Sequence, residues 1–178
     1  DPLWSLVPYM KGAFYLRDLN DVNRIRGFIG AGKSAVIIGG GYIGLETAAS
    51  MRKLGMHVTV LEALPRVLQR VTAPEVSAFY SRVHGEEGVN ILTDAAVASL
   101  QGNGVVQEVK LADGTCLKAD LVVIGVGVLP ATELAASAGL EVDNGIVVDE
   151  FARTSDPDIV AAGDCTNHYN PIYARRLR

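Results

Sequence analysis

Three glycines, Gly39, Gly41 and Gly44, follow an apolar run at residues 35–38 and have the spacing G-x-G-x-x-G. Glycine at the first position permits a tight turn, at the second it lets the backbone approach a pyrophosphate, and at the third it lets a helix pack closely on a sheet. The helix that begins at such a turn directs N–H groups and its positive dipole end at the phosphates. Alone, the motif is a weak signal, because glycine-rich turns also form for packing reasons. The spacing therefore suggests a dinucleotide site without establishing one.

An acid at the expected distance completes the pattern. Glu62 ends a second apolar run, 23 positions after Gly39, where the fingerprint has a carboxylate about 20 residues on that binds the ribose hydroxyls. A carboxylate there accepts hydrogen bonds from a free 2′-hydroxyl and repels a 2′-phosphate, so we expect NADH to be preferred over NADPH. Arg66 and Arg70 could contact a phosphate, or could simply be exposed charges beside a helix.

Strands and helices in a fixed order must position these residues. Apolar runs rich in β-branched residues predict strands buried on both faces of a parallel sheet, and apolar residues at helical spacing predict helices between them. The predicted strands are residues 13–16, 35–38, 57–61, 89–92 and 121–124, and the predicted helices are residues 18–29, 42–54 and 72–87. Thr72 with Glu75 predicts a capping box for the third helix. Gly125 and Gly127 follow the last strand, so we expect them at the carboxyl edge of the sheet, where nucleotides bind.

Between the fourth and fifth of these strands the pattern changes. Residues 95–117 form short alternating segments that are interrupted by Gly102-Asn103-Gly104 and by Asp113-Gly114, which are hairpin signals. An antiparallel meander is therefore expected to make the crossover between two parallel strands. The predicted fold is a Rossmann-like α/β domain with three layers.

The chain from residue 130 onward is less regular. It predicts a short helix at residues 132–137, a strand at 146–148, and a strand at 159–162 that leads into Gly163 and Asp164. These pieces indicate a second structural unit. The expected organisation is a connector at residues 1–12, a nucleotide-binding domain at 13–129 and part of another domain at 130–178.

Composition argues against several other classes of protein. The net charge is −4 without a basic stripe, which argues against nucleic-acid binding. The longest apolar run, residues 121–129, is far shorter than the roughly 20 residues that span a bilayer, so a soluble protein is expected. Cys116 and Cys165 are isolated, which argues against a metal cluster or a disulfide framework and favours the cytoplasm. None of the three histidines belongs to an evident catalytic grouping, and no acid–base catalytic residue is predicted.

Five segments together resemble one family, and they run through nearly the whole chain. They are YLRDLNDVNRIR, VIIGGGYIGLETA, VTVLEALPRVLQRVTAPEVS, DLVVIGVGVLP and NGIVVDEFARTSDPDIVAAGDC. In this order they resemble the ferredoxin reductase group, with its putidaredoxin and rubredoxin reductases, of the FAD-dependent pyridine nucleotide-disulfide oxidoreductase superfamily. Relative to that family, the chain resembles an internal portion without the N-terminal flavin-binding segment or the C-terminal domain. Residues 130–178 would then be the remnant of an FAD domain.

The resemblance implies an enzyme that transfers hydride from NADH to FAD and then single electrons to a ferredoxin or rubredoxin. It implies that Tyr42 shields the flavin, that Glu46 binds the nicotinamide carboxamide, and that Gly163 and Asp164 bind FAD in the intact enzyme. The residues expected to bind NAD are Gly39, Gly41, Tyr42, Ile43, Gly44, Glu46, Glu62, Arg66, Gly125 and Gly127.

Three alternatives remain open at this point. The chain could be a nucleotide-binding module without activity of its own, or the protein could be another member of the superfamily, such as an NADH oxidase or the flavin subunit of a nitrite reductase. We also expect the strand predicted at residues 159–162 to have lost a neighbouring strand, and residues 146–164 therefore to associate with a second copy or to be disordered.

Overall fold

The computed structural model describes residues 10–177, in two compact units, of which the first ends at Gly127 and the second begins at Val128. The predicted connector lies largely outside the described residues. The strands of the first unit are β1 (Ala13–Tyr15), β2 (Ser34–Ile38), β3 (His57–Leu61), β4 (Val89–Leu92), β5 (Val97–Gly102), β6 (Val106–Leu111), β7 (Cys116–Lys118) and β8 (Leu121–Ile124). Its helices are α1 (Leu19–Arg26), α2 (Tyr42–Lys53) and α3 (Pro74–Glu86).

Five of these strands form an all-parallel sheet with the order β1-β8-β2-β3-β4. On one face, Ile37 packs in a core with Leu45 of α2. On the other face, Val36 and Val122 pack with Val109 of the antiparallel sheet β5-β6-β7. Successive residues of a strand point to opposite faces, so a strand covered on both faces is apolar throughout. The first unit therefore has the predicted three layers, and the meander makes the crossover from β4 to β8.

The first helix is shorter than predicted. The Asp18 side chain accepts hydrogen bonds from the N–H groups of Asn20 and Asp21 and so caps its start. The helix ends at Arg26, and Gly27 forms the cap, where the sequence predicted an end near residue 29. The apolar spacing continues past the cap because Phe28 and Ile29 still pack on the same core from the following turn.

The capping box predicted at Thr72 and Glu75 is wrong. The N-cap of α3 is Ala73, no side chain makes a capping hydrogen bond, and Pro74 is the first helical residue. Proline favours this start because its fixed φ suits a helix and it lacks an N–H that would have no intrahelical partner there. The Thr72 hydroxyl instead donates to the Leu68 carbonyl oxygen at 3.1 Å.

The second unit contains a short helix and a three-stranded sheet. Its elements are α4 (Glu133–Ser137), β9 (Ile146–Val148), β10 (Thr166–Asn170) and β11 (Arg175–Leu177). The sheet order is β11-β10-β9, with β9 parallel and β11 antiparallel to β10. The sequence pattern predicted α4 and β9 but missed β10 and β11.

The strand predicted at residues 159–162 is also wrong. Within the described chain, this segment makes one isolated bridge, from Val160 to Arg153. The Thr154 N–H donates to the Ile159 carbonyl oxygen at 3.0 Å, and the Asp158 N–H donates to the Asp156 carboxylate at 2.9 Å. These local hydrogen bonds close a loop, so the apolar residues of the segment fold back on residues 152–154 and do not join a sheet.

A polar network explains why β10 escaped the hydrophobic pattern. Thr166 and Asn167 are its buried residues. The Arg176 guanidinium donates to the Asn167 side-chain oxygen at 2.6 Å, the Asn167 carbonyl at 2.7 Å and the Val148 carbonyl at 3.0 Å. One side chain of β11 thus connects all three strands through hydrogen bonds, which an apolar periodicity does not reveal.

Among residues 10–177, no helix is both long and apolar enough to span a membrane. No group of three or more His, Cys, Asp or Glu side chains in the described part of the chain could hold a metal ion.

Candidate dinucleotide site

The turn after β2 brings Gly39 against Gly125. Gly39 has a φ of +109°, and its N–H donates to the Leu61 carbonyl oxygen at 2.8 Å. A Cβ atom at Gly39 would overlap the backbone carbonyl of Gly125. Positive φ is also disfavoured for residues with a side chain. Both the backbone conformation and the available space therefore require glycine at this position.

Gly44 lets the helix begin directly on that turn. It is buried in the first turns of α2, and a Cβ atom there would overlap the carbonyl oxygen of Gly39. The two outer glycines of the motif thus serve one close contact between backbone segments. This contact holds the start of α2 at the carboxyl end of β2.

Gly41 has a different environment. It is the N-cap of α2, with a φ of −80°, and no atom lies within 4 Å of the position that a Cβ would take. Neither the backbone angle nor neighbouring atoms of the described chain require glycine here. The space in front of Gly41 is open, as the approach of a pyrophosphate would need.

The start of α2 is suited to an anion. No side chain caps it, and the exposed residues Tyr42 and Ile43 follow the N-cap. The first turn of an α-helix has N–H groups without intrahelical partners, and the helix dipole adds positive potential there. Gly41, Tyr42 and Ile43 therefore present the elements of a phosphate site, and their contact with NAD stays a prediction.

The Glu62 carboxylate lies beside the glycine turn and is held by two backbone donors. The Gly40 N–H donates to Oε2 at 2.8 Å, and the Leu64 N–H donates to Oε1 at 2.9 Å. Each carboxylate oxygen has a further lone pair, so the group can accept from ribose hydroxyls without giving up these hydrogen bonds. The arrangement links the acid at the end of β3 directly to the glycine motif.

Gly125 and Gly127 lie at the same edge of the sheet. The Gly125 N–H donates to the Ile38 carbonyl oxygen at 2.8 Å, which continues the pairing of β8 with β2. Gly127 has a φ of +124° and no atom within 4 Å of its Cβ position. This pairing places Gly125 directly after β8 at the carboxyl end of the sheet, and the contact of both glycines with NAD remains a prediction.

Tyr42 belongs to an aromatic cluster. Its ring lies edge-on to Tyr80 of α3 with 6.2 Å between centroids, and Tyr80 stacks on His84 at 6.3 Å. Burial lowers the pKa of His84. Glu46 lies one turn after Tyr42 and is exposed. The roles of Tyr42 and Glu46 toward nicotinamide stay predictions.

Arg66 is engaged by the protein itself. One terminal nitrogen of its guanidinium donates to the Thr72 carbonyl oxygen at 2.9 Å and to the Ser77 hydroxyl at 2.6 Å. The other donates to the Gln69 carbonyl oxygen at 3.1 Å. Arg70, in contrast, is exposed. Arg66 therefore has a structural role within the protein, and its contact with the nucleotide stays a prediction.

Gly163 and Asp164 lie in the second unit, in the turn before β10. Gly163 has a φ of +90° with open space at its Cβ position, and its carbonyl accepts from the Thr166 N–H at 3.0 Å. The Asp164 side chain is exposed. The turn is compatible with a ligand that approaches the backbone closely, and its part in FAD binding stays a prediction.

A separate cleft of about 490 Å³ runs between α3 and β4. Among the residues predicted to bind a cofactor, only Arg66 lines it, together with small side chains of α3 such as Ser81. Gly41 and Glu62 do not border this cleft. We therefore place the candidate site at the carboxyl edge of the parallel sheet.

Two residues of the site region escaped the sequence analysis. Gly40 donates to Glu62, and a Cβ atom there would lie 2.9 Å from Val67 and 3.0 Å from the Glu62 carboxylate. Its position between two motif glycines was the available signal. Ser77 is buried and donates to the Val67 carbonyl oxygen at 2.6 Å. A serine in an amphipathic helix gives no such signal.

Comparison with known proteins gives consistent matches across the chain. The family described as pyridine nucleotide-disulphide oxidoreductase matches residues 4–176. Putidaredoxin reductase of Pseudomonas putida is 50% identical over 167 residues, which cover 92% of this chain and 40% of that protein. Rubredoxin-NAD(+) reductase of Ectopseudomonas oleovorans is 41% identical over 170 residues, which cover 95% of this chain and 44% of that protein.

Solved structures agree with these matches. A crystal structure of the covalent putidaredoxin reductase–putidaredoxin complex superposes with a TM-score of 0.88 at 49% identity, covering 94% of this chain and 41% of that one. The chain thus spans about two fifths of the length of such relatives.

Proposed function

The chain belongs to the pyridine nucleotide-disulphide oxidoreductase family, and from this we propose that it binds NADH for an FAD-dependent reductase. In the proposed reaction of the whole protein, electrons from NADH pass through FAD to a ferredoxin or rubredoxin. The named relatives that match nearly the whole chain are reductases of putidaredoxin and rubredoxin. This agreement supports a small redox protein as the partner.

The observation that carries the proposal is the hydrogen-bonded position of Glu62 beside the glycine turn. A carboxylate held by the N–H groups of Gly40 and Leu64 lies beside the open approach to Gly41 and the start of α2. Ribose hydroxyls can donate to the carboxylate while the pyrophosphate takes the helix N–H groups, and the protein thereby orients the nucleotide. A 2′-phosphate would meet the Glu62 charge, which favours NADH over NADPH.

FAD would supply the chemistry that accepts a hydride and releases single electrons. In this chain, Gly163 and Asp164 would hold it, because the turn at Gly163 is open and the Asp164 carboxylate is exposed. Tyr42 would cover the reacting face, and Glu46 would accept a hydrogen bond from the nicotinamide carboxamide. The two free cysteines, Cys116 and Cys165, agree with a reducing compartment, and the cytoplasmic location stays a prediction.

Replacing Glu62 tests this proposal. Glu62→Gln should lower the ratio of NADH to NADPH affinity about tenfold, because it removes the charge that disfavours a 2′-phosphate and weakens a charge-assisted acceptor of the ribose. Isothermal titration calorimetry of both nucleotides measures the ratio. Glu75→Gln is the matched control, since it removes the same charge from the exposed first turn of α3. Equal affinity of the wild-type chain for NADH and NADPH would contradict the proposal.

The second candidate function is a nucleotide-binding module without activity of its own. The chain spans about two fifths of the length of these relatives, which favours this possibility for the chain by itself. An absorption spectrum separates the two candidates, because bound flavin gives visible bands and a module gives none. Turnover of NADH with oxygen or nitrite but not with an iron–sulfur protein would instead favour an oxidase or a nitrite reductase.

We also propose that residues 146–164 associate with a second copy of the chain. β9 is an edge strand of its sheet, and Phe151 and Val160 are 64% and 68% exposed. Exposed apolar side chains of this kind favour association with another chain. Sedimentation velocity should show a dimer that Phe151→Ser with Val160→Ser shifts toward monomer. Leu134→Ser, in the same unit but outside the segment, should not.

Hydrogen exchange gives the second measurement. In a dilute monomeric sample, amides at residues 146–164 should exchange fast while those at residues 35–129 stay protected. Uniform protection in a demonstrated monomer would contradict the association.

A further inference from the structure

We infer that Arg66 and Ser77 are positioning residues of the nucleotide site, which hold residues 63–72 against Gly40 and thereby fix the Glu62 carboxylate. The inference rests on the proposed function. It assigns Arg66 a role through the protein, in place of a direct contact with the nucleotide.

The Arg66 guanidinium donates hydrogen bonds to three acceptors. The acceptors are the carbonyl oxygens of Gln69 and Thr72, at 3.1 and 2.9 Å, and the Ser77 hydroxyl at 2.6 Å. Gln69 and Thr72 lie in the loop between β3 and α3, and Ser77 lies in α3. The planar guanidinium suits such a set of acceptors, and an ammonium group has no equivalent fork.

Ser77 links the same loop to α3 through hydrogen bonds. The residue is 2% exposed and borders the cleft between α3 and β4, which neither Gly41 nor Glu62 lines. Its hydroxyl donates to the Val67 carbonyl oxygen at 2.6 Å and accepts from Arg66. Removing it would leave both partners short of a hydrogen bond in a buried place.

The loop in turn supports the glycine motif. The Leu68 N–H donates to the Gly40 carbonyl oxygen at 2.9 Å. Leu68 has a φ of +55°, a backbone conformation that is unfavourable for a residue with a side chain and persists only where surrounding contacts hold it. The Thr72 hydroxyl, which donates to the Leu68 carbonyl, is one such contact, and the hydrogen bond from Ser77 to the neighbouring Val67 is another.

This series of hydrogen bonds ends at the Glu62 carboxylate. Gly40 donates its N–H to Glu62 while its carbonyl accepts from Leu68. One peptide segment therefore joins the loop, the glycine turn and the ribose-binding carboxylate. A shift of the loop would move the Gly40 donor, and Glu62 would lose one of its two supports.

Nucleotide affinity tests the inference with variants on each side of the key hydrogen bond. Ser77→Ala and Arg66→Met should each weaken NADH binding about tenfold, the loss expected when a supporting hydrogen bond is removed. The double variant should bind no more than about twofold worse than the weaker single variant, because both changes break one network. Arg66→Lys should behave like Arg66→Met, since it keeps the charge and loses the fork. Calorimetry supplies the dissociation constants.

Two control variants and one structural readout complete the design. Arg82→Met and Ser81→Ala remove the same groups from α3 and should leave NADH affinity unchanged. Amide exchange of Gly40 and Leu64, followed by NMR, should speed up in Ser77→Ala while the thermal midpoint stays within a few degrees. If Arg66→Met does not fold, the single variants Ser77→Ala and Arg66→Lys test the positioning role through their NADH affinities.

The outcomes separate this inference from the proposed function. A wild-type chain that does not bind NADH overturns the proposed function. A wild-type chain that binds NADH, with Ser77→Ala equal to it, overturns the positioning role alone. Wild-type affinity in Arg66→Lys, with a loss in Arg66→Met, would mean that the charge contacts the nucleotide directly, and would also overturn this inference.

Discussion

Gly41→Ala is expected to weaken NADH binding about a hundredfold or more and to leave the fold intact. The Cβ of alanine would project into the space where the backbone must approach the pyrophosphate, and no atom of the described chain lies within 4 Å of it. The φ of −80° is open to alanine. Alanine is a poorer N-cap than glycine, so a loss below about 1 kcal/mol of unfolding free energy is expected.

Calorimetry with NADH and urea unfolding of the same samples measure the two effects. Gly85→Ala is a matched control because its Cβ position in α3 is also free of neighbours within 4 Å. That change should leave NADH affinity unchanged and stabilise the helix by about 0.5–1 kcal/mol. NADH affinity within twofold of wild type in Gly41→Ala would refute the placement of the pyrophosphate.

The parallel sheet was predictable because its strands are covered on both faces. A strand such as β2 must then be apolar at successive positions, as at Val36 and Ile37, and a continuous run stands out in a sequence. β10 lacks this signal, since its buried residues are Thr166 and Asn167 and its support is the Arg176 guanidinium. Residues 159–162 carry the apolar signal, yet local hydrogen bonds turn them into a loop.

In the candidate site, too, some features could be predicted from the sequence and others could not. The position of Glu62 follows from a fixed spacing after the glycines, because strand, turn and helix lengths in this fold vary little. Its two supports are backbone N–H groups of Gly40 and Leu64, which side-chain patterns do not report. The partner of Arg66 on α3, Ser77, lies eleven positions further along, and only the folded loop brings the two together. Sequence therefore indicated a cation near the site but not what it holds.

Gly44→Ala, unlike Gly41→Ala, should destabilise the fold, because its added Cβ meets the protein and not the ligand. That atom would overlap the Gly39 carbonyl oxygen, and the Gly44 position is buried against the sheet. Gly39 cannot yield easily, since its N–H is bound to Leu61 and its own Cβ position abuts Gly125. Relief requires α2 to move away from β2, which would open the core around Leu45.

We therefore expect Gly44→Ala to lower the free energy of unfolding by about 3 kcal/mol, the upper range for an overpacked core position. NADH binding should be lost with it, since the turn and the helix start no longer meet. Urea unfolding followed by circular dichroism gives the stability, and Gly41→Ala serves as the comparison with the same added methyl three residues earlier. A Gly44→Ala chain that unfolds at the wild-type urea midpoint would show that the helix tolerates a side chain on the turn. The close contact of Gly44 with Gly39 would then not be what fixes α2 at the end of β2.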